Sequence, residues 1–75
     1  MNPAQVRAAR GLISMSQTAL AVEAQVSLST VVDFERGRRQ VAQPSLTAIR
    51  AALEAAGVEF IAENGGGAGV RLKKF

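Results

Sequence analysis

The chain has no cysteine, no histidine, no tyrosine and no tryptophan. Without cysteine there are no disulfides and no thiolate nucleophile. Without cysteine and histidine together, the two commonest zinc ligands are gone, so no metal site and no cofactor are expected. With histidine, cysteine and tyrosine all missing, no side chain is left to act near neutral pH, and the serines lie in no nucleophile-elbow pattern. No enzyme is expected. Long hydrophobic runs are also lacking, because the apolar stretches break within a few residues. The start of the chain shows no basic patch followed by an apolar segment. Neither a signal peptide nor a transmembrane helix is read, and a cytoplasmic protein with no membrane partner is expected.

What remains is a small globular chain. Seventy-five residues allow one domain with a modest core, and 48% apolar residues place it among folded rather than disordered chains. Nine Lys and Arg against six Asp and Glu give a net charge of +3, which matters because the basic residues cluster at 36–39 and 71–74.

Asn2, Pro3 and Gln5 form a cap signal, and the spacing predicts a first helix from about Pro3 to Arg10, loosened by Gly11. Val6, Ala9, Leu12 and Ile13 share one face of it. Ser16 caps a second helix starting at Gln17, in which Ala19, Leu20, Ala21 and Ala24 let another helix approach closely. Ser27 caps a third, with Leu28, Val31 and Phe34 at three-residue spacing, closed by Gly37. Pro44 reads as the first residue of a fourth helix carrying Leu46, Ile49, Leu53 and Ala56, up to Gly57. From Val58 the period becomes two, and VEFIAE and VRLKK read as strands around the glycine-rich NGGGAG. The expected core is Val6, Leu20, Val31, Phe34, Ile49 and Leu53. The expected fold is mainly α, with residues 1–57 as the helical domain and residues 58–75 as a short C-terminal β-hairpin extension.

Two short helices joined by a tight turn and followed by a basic loop resemble the Cro/cI-type helix-turn-helix family, the xenobiotic-response-element type of bacterial and phage regulators. The resemblance rests on Arg10, Gln17, Ala21, Val26, Val31, Phe34, Glu35 and Gly37 and covers roughly residues 3–56. It implies a lambda-repressor-like domain of four to five helices that binds double-stranded DNA sequence-specifically as a small transcriptional regulator, a repressor, with the third helix in the major groove. Gln25 stands where the family usually has glycine. A left-handed backbone is expected there, at about 1 kcal/mol for a residue with a side chain.

The resemblance also assigns roles. Arg10 and Glu35 are expected as a structural salt bridge tying helix one to helix three. Gln17, Arg36, Arg38 and Arg39 are candidates for phosphate contacts, against the plainer reading of solvated side chains. Leu28, Ser29, Thr30, Val32 and Asp33 are candidates for facing bases, with Asp33 accepting from cytosine and Leu28 or Val32 meeting thymine methyls. No Arg, Asn or Gln lies between Ser27 and Asp33 to make the usual bidentate base contact. That lack favours a rival on the same fold, a protein-binding module such as an antitoxin or anti-activator with a toxin or activator as partner. A homodimer is expected, with Val58, Phe60, Ile61, Val70 and Leu72 as its interface. In the alternative the hairpin closes its own core, and Lys73 and Lys74 guard its edge. The glycine patch lacks the Lys-Ser/Thr that a phosphate cradle needs and reads as a hairpin loop.

Overall fold

The first helix begins where an amide and a proline make it begin. In the computed structural model, which describes residues 1–73, the Gln5 N–H donates to the Asn2 side chain and the Asn2 N–H donates to the Gln5 side chain, both at 2.8 Å. This closes a capping box, with Pro3 as the first residue of α1 (Pro3–Ile13). The helix continues past Arg10, where the glycine led us to expect its end. An interior glycine costs a helix only about 1 kcal/mol, and Ile13 beyond it packs against the core. Ser14 supplies the stop instead, with a left-handed φ of 54°.

That stop is used three times. α2 (Gln17–Ala24) ends at Gln25 with φ 57°, and α3 (Leu28–Arg36) ends at Gly37 with φ 64°. After each left-handed residue the next N–H reaches back five residues to a carbonyl, Met15 to Arg10, Val26 to Ala21 and Arg38 to Asp33, each at 3.0 Å. Met15 and Val26 are also half-buried against the core. Each is followed by a serine, Ser16 or Ser27, whose hydroxyl accepts the first-turn N–H of Ala19 or Thr30. Left-handed residue, apolar plug and serine cap make a complete joint in the segment 25–27.

α4 (Gln43–Ala55) starts one residue before Pro44, which is therefore its second residue, and Ala42 makes no side-chain cap. Gly57, buried and at φ 101°, turns the chain into β1 (Val58–Ile61), which pairs antiparallel with β2 (Gly69–Leu72). Val58 lies opposite Leu72 and Phe60 opposite Val70, so these four share one face of the hairpin. Glu59, Ile61 and Arg71 take the other face, where Arg71 and Glu59 pair across the strands at 2.6 Å. The described chain is thus mainly helical, four helices and a two-stranded hairpin.

The core is built from Val6, Ala9, Leu20, Val31, Ile49, Leu53 and Val58, all fully buried. Several expectations need correction. Phe34 is only half-buried: it packs against the core on one side and lines an open cleft of about 550 Å³ with Val41 and Leu46 on the other. Leu12 is 43% exposed, because Val6, Ala9 and Ile13 form the packed stripe and Leu12 falls at its edge. Ala19 is exposed, while Ala21 and Ala24 are buried. Val58, expected between two copies, points into its own domain, and Phe60 and Val70 pack half-buried on the same core. Ile61 lies on the opposite face of the hairpin, half-buried, and Leu72 is 50% exposed. Lys73 is exposed, and Lys74 lies outside the described residues.

A polar clasp holds the hairpin to the helices. The Gln5 amide, 6% exposed, donates to the Ile61 carbonyl at 3.1 Å and the Gly69 carbonyl at 2.9 Å, while its oxygen closes the capping box. On the α4 side the Arg50 guanidinium lies 5.3 Å from the centre of the Phe60 ring. Gln5→Ala leaves both strand carbonyls without their donor. Urea denaturation should show a loss of about 2 kcal/mol, with the hairpin amides exchanging hydrogen before those of α4.

Candidate nucleic-acid interface

α3 presents two faces whose chemistry differs. Val31 and Glu35, four residues apart, turn inward and are 0% and 3% exposed. Helical spacing puts Ser29, Asp33 and Arg36 on the opposite side. Leu28 and Ser29 are exposed at the start of the helix, Thr30, Val32 and Asp33 are half-exposed, and Arg36, Arg38 and Arg39 are exposed at its exit. The five candidate base-facing residues therefore all reach solvent, with Ser29 and Asp33 the most central.

Glu35 fixes which face turns out. Its buried carboxylate accepts from Arg10 Nε at 2.6 Å and Arg10 Nη2 at 2.7 Å, a bidentate pair, and from the Gln17 amide at 3.1 Å. The Arg7 guanidinium donates to the Glu35 carbonyl, and Arg10 Nη1 donates to the Met15 carbonyl at 3.1 Å. The Arg10–Glu35 pair thereby ties α1, the joint after it, the start of α2 and the end of α3. Hydrogen bonding to Glu35 raises the Arg10 pKa, opposed by burial and helped by the carboxylate charge. Gln17 is thus part of this cluster. Arg7 has no place in the sequence reading, and no local signal points to it.

A second network lies on the outer surface. Ser27 Oγ is within 3.0 Å of Ser29 Oγ and 2.7 Å of Thr30 Oγ1. Arg39 folds back from the loop, donating from Nε to Asp33 at 2.9 Å and from Nη2 to Thr30 Oγ1 at 3.3 Å. Arg36 and Arg38 have no acidic partner among the described residues. The glycine patch offers no cradle, since the Glu63 carboxylate already accepts from the Gly65 and Gly67 N–H groups, at 2.9 and 3.0 Å. Those bonds lower its pKa. Among the described residues no group of acidic side chains could hold a metal ion, and no helix is long and apolar enough to cross a membrane.

Compared with known protein families, residues 4–60 match the family described as Helix-turn-helix domain. The chain belongs to that family. None of the curated proteins matches it. The helix-turn-helix pair is α2 and α3, and the family points to DNA as the ligand.

Breaking a buried ion pair from one side leaves the other charge uncompensated. Glu35→Gln should therefore cost about 3 kcal/mol in urea denaturation. The double variant with Arg10→Met should cost clearly less than the two single changes added together.

Proposed function

We propose that this helix-turn-helix protein is a Cro/cI-type regulator that binds double-stranded DNA sequence-specifically and represses transcription. The observation that carries the reading is a solvent-facing, hydroxyl-lined α3 surface that ends in Arg36 and Arg38, two cations without acidic partners among the described residues. In this reading α3 enters the major groove while Arg36 and Arg38 meet phosphates on its flank. The α2 N-terminus with Gln17 meets a further phosphate, favoured by the positive end of the helix dipole. Repression suits such a surface, because occupying a promoter needs DNA contacts alone. Residues 1–57 act as the reading unit and residues 58–75 as the extension that seals it.

One short helix spans few base pairs, so the working form is a two-fold dimer on half-sites about one helical turn apart. With Val58 inside the core, Leu72 is the exposed large apolar side chain that the hairpin offers for that contact. Leu72→Lys should keep the fold and yield a monomer in sedimentation equilibrium; a dimer unchanged by it moves the interface elsewhere.

The exposed Val22 and Leu28, 68% and 46% accessible, favour a second reading, a protein-binding module on the same fold. Selection of bound sequences from random duplex DNA at two salt concentrations separates the readings, since a protein-binding module enriches no sequence. Arg36→Ala and Arg38→Ala should each weaken binding to all duplexes alike. Each should also flatten the dependence of log K on log salt by about 0.9. An unchanged slope would make both arginines solvated surface.

A further inference from the structure

We propose that Arg39 is the base-reading arginine of this interface, held over α3 by Asp33 and Thr30 so that its free end reads a guanine in the major groove. The inference rests on the DNA-binding reading above and names the residue that gives it specificity.

Up to Asp33, α3 carries no Arg, Asn or Gln, so that stretch lacks the side chains that grip a base edge at two points. Arg39 comes from outside the helix but does not stay outside. The left-handed turn at Gly37 sends the chain back, and the guanidinium reaches two acceptors on α3, Asp33 at 2.9 Å and Thr30 at 3.3 Å. These are three positions apart, hence neighbours on the helix surface. Thr30 Oγ1 is itself fixed by the Ser27 cap at 2.7 Å. The arginine is therefore anchored at its Nε side while its side chain remains 49% exposed.

A guanidinium has five N–H groups in a rigid fork. Asp33 and Thr30 take one from Nε and one from Nη2. The parallel pair at the Nη1/Nη2 end remains free, and that pair matches O6 and N7 of guanine. The contacts to α3 also reduce the freedom the side chain would lose on binding. Asp33 then acts as a positioning residue. A bare carboxylate facing a phosphate-lined groove is repelled, whereas one compensated by Arg39 is tolerated. Arg36 and Arg38 have no such anchor and keep the phosphate role.

The test uses the full chain, selection from random duplex DNA, and the variants Arg39→Ala and Asp33→Asn. Wild type should enrich a guanine position in each half-site. Both variants should flatten that position, with preference for guanine falling roughly tenfold to hundredfold. Replacing that guanine by 7-deazaguanine removes only the N7 acceptor. This should weaken the wild type roughly tenfold and leave both variants indifferent. A guanine position that survives Arg39→Ala, or wild-type binding untouched by 7-deazaguanine, overturns the proposal. If Asp33→Asn still responds to 7-deazaguanine as the wild type does, Asp33 does not position Arg39. Thermal unfolding checks that the variants fold, and wild-type binding untouched by 7-deazaguanine overturns the proposal even if they do not. A wild type that enriches no sequence sinks the DNA reading itself, a different result from a motif without the guanine.

Discussion

The carboxylate of Glu35 is the constraint on which the outward face of α3 depends. α2 and α3 have 8 and 9 residues, too few to persist as isolated helices in water. Their stability comes from the core, and burial of Val31 and Leu20 is non-directional. It would tolerate some rotation of α3 about its axis. The bidentate Arg10 pair and the Gln17 bond do not, because their acceptors are fixed in position. With Glu35 held inward, helical geometry turns Ser29, Asp33 and Arg36 outward. A one-residue slip would rotate that set by about 100° and bury the face proposed to meet DNA.

Gln5 and Glu35, the two buried polar residues among those described, divide the work. Glu35 orients the helices toward one another, and Gln5 attaches the hairpin to their rear. No buried side-chain nitrogen or oxygen among the described residues lacks a hydrogen-bond partner, which is the condition under which polar groups in a small core specify rather than destabilise it. The hairpin contributes Val58 to that core, so it belongs to the domain's own packing before any partner is considered.

Local pattern was enough to read most of the fold from the residues. Val6, Leu20, Val31, Ile49 and Leu53 recur at helical spacing, and Ser16, Ser27 and Gly37 mark ends whose chemistry lies within a few positions. What could not be read in this way depends on distance along the chain. Gln5 was visible as half of a capping box, but its other half joins residues 56 and 64 positions away. Alternation showed that Val58, Phe60, Val70 and Leu72 share a face, yet it could not say whether that face meets a helix or a second copy. Ser14 lacks the glycine signal of a left-handed stop, and Gly11 advertised a stop that packing of Ile13 overrides. Asp33 and Arg39 are six positions apart across a chain reversal, a spacing with no helical or strand meaning.

The arginine triplet shows why such a reversal matters. Arg36 sits in the last turn of α3 and Arg38 just beyond it, where the unpaired carbonyls of the helix end carry partial negative charge. That field favours cations by about 0.3–1 kcal/mol without occupying a guanidinium's donors, so both arginines can remain without carboxylate partners. Arg39 gives up that freedom for two side-chain anchors on α3. Three residues that composition counts as one basic cluster thus fall into different physical states, two exposed without a carboxylate partner among the described residues and one held by directional bonds. A diffuse field suits a ligand that is the same along its length, as a phosphate backbone is. Directional anchoring suits one that changes from position to position, as base edges do. The left-handed turn at Gly37 is what separates the two within four residues of chain, 36–39.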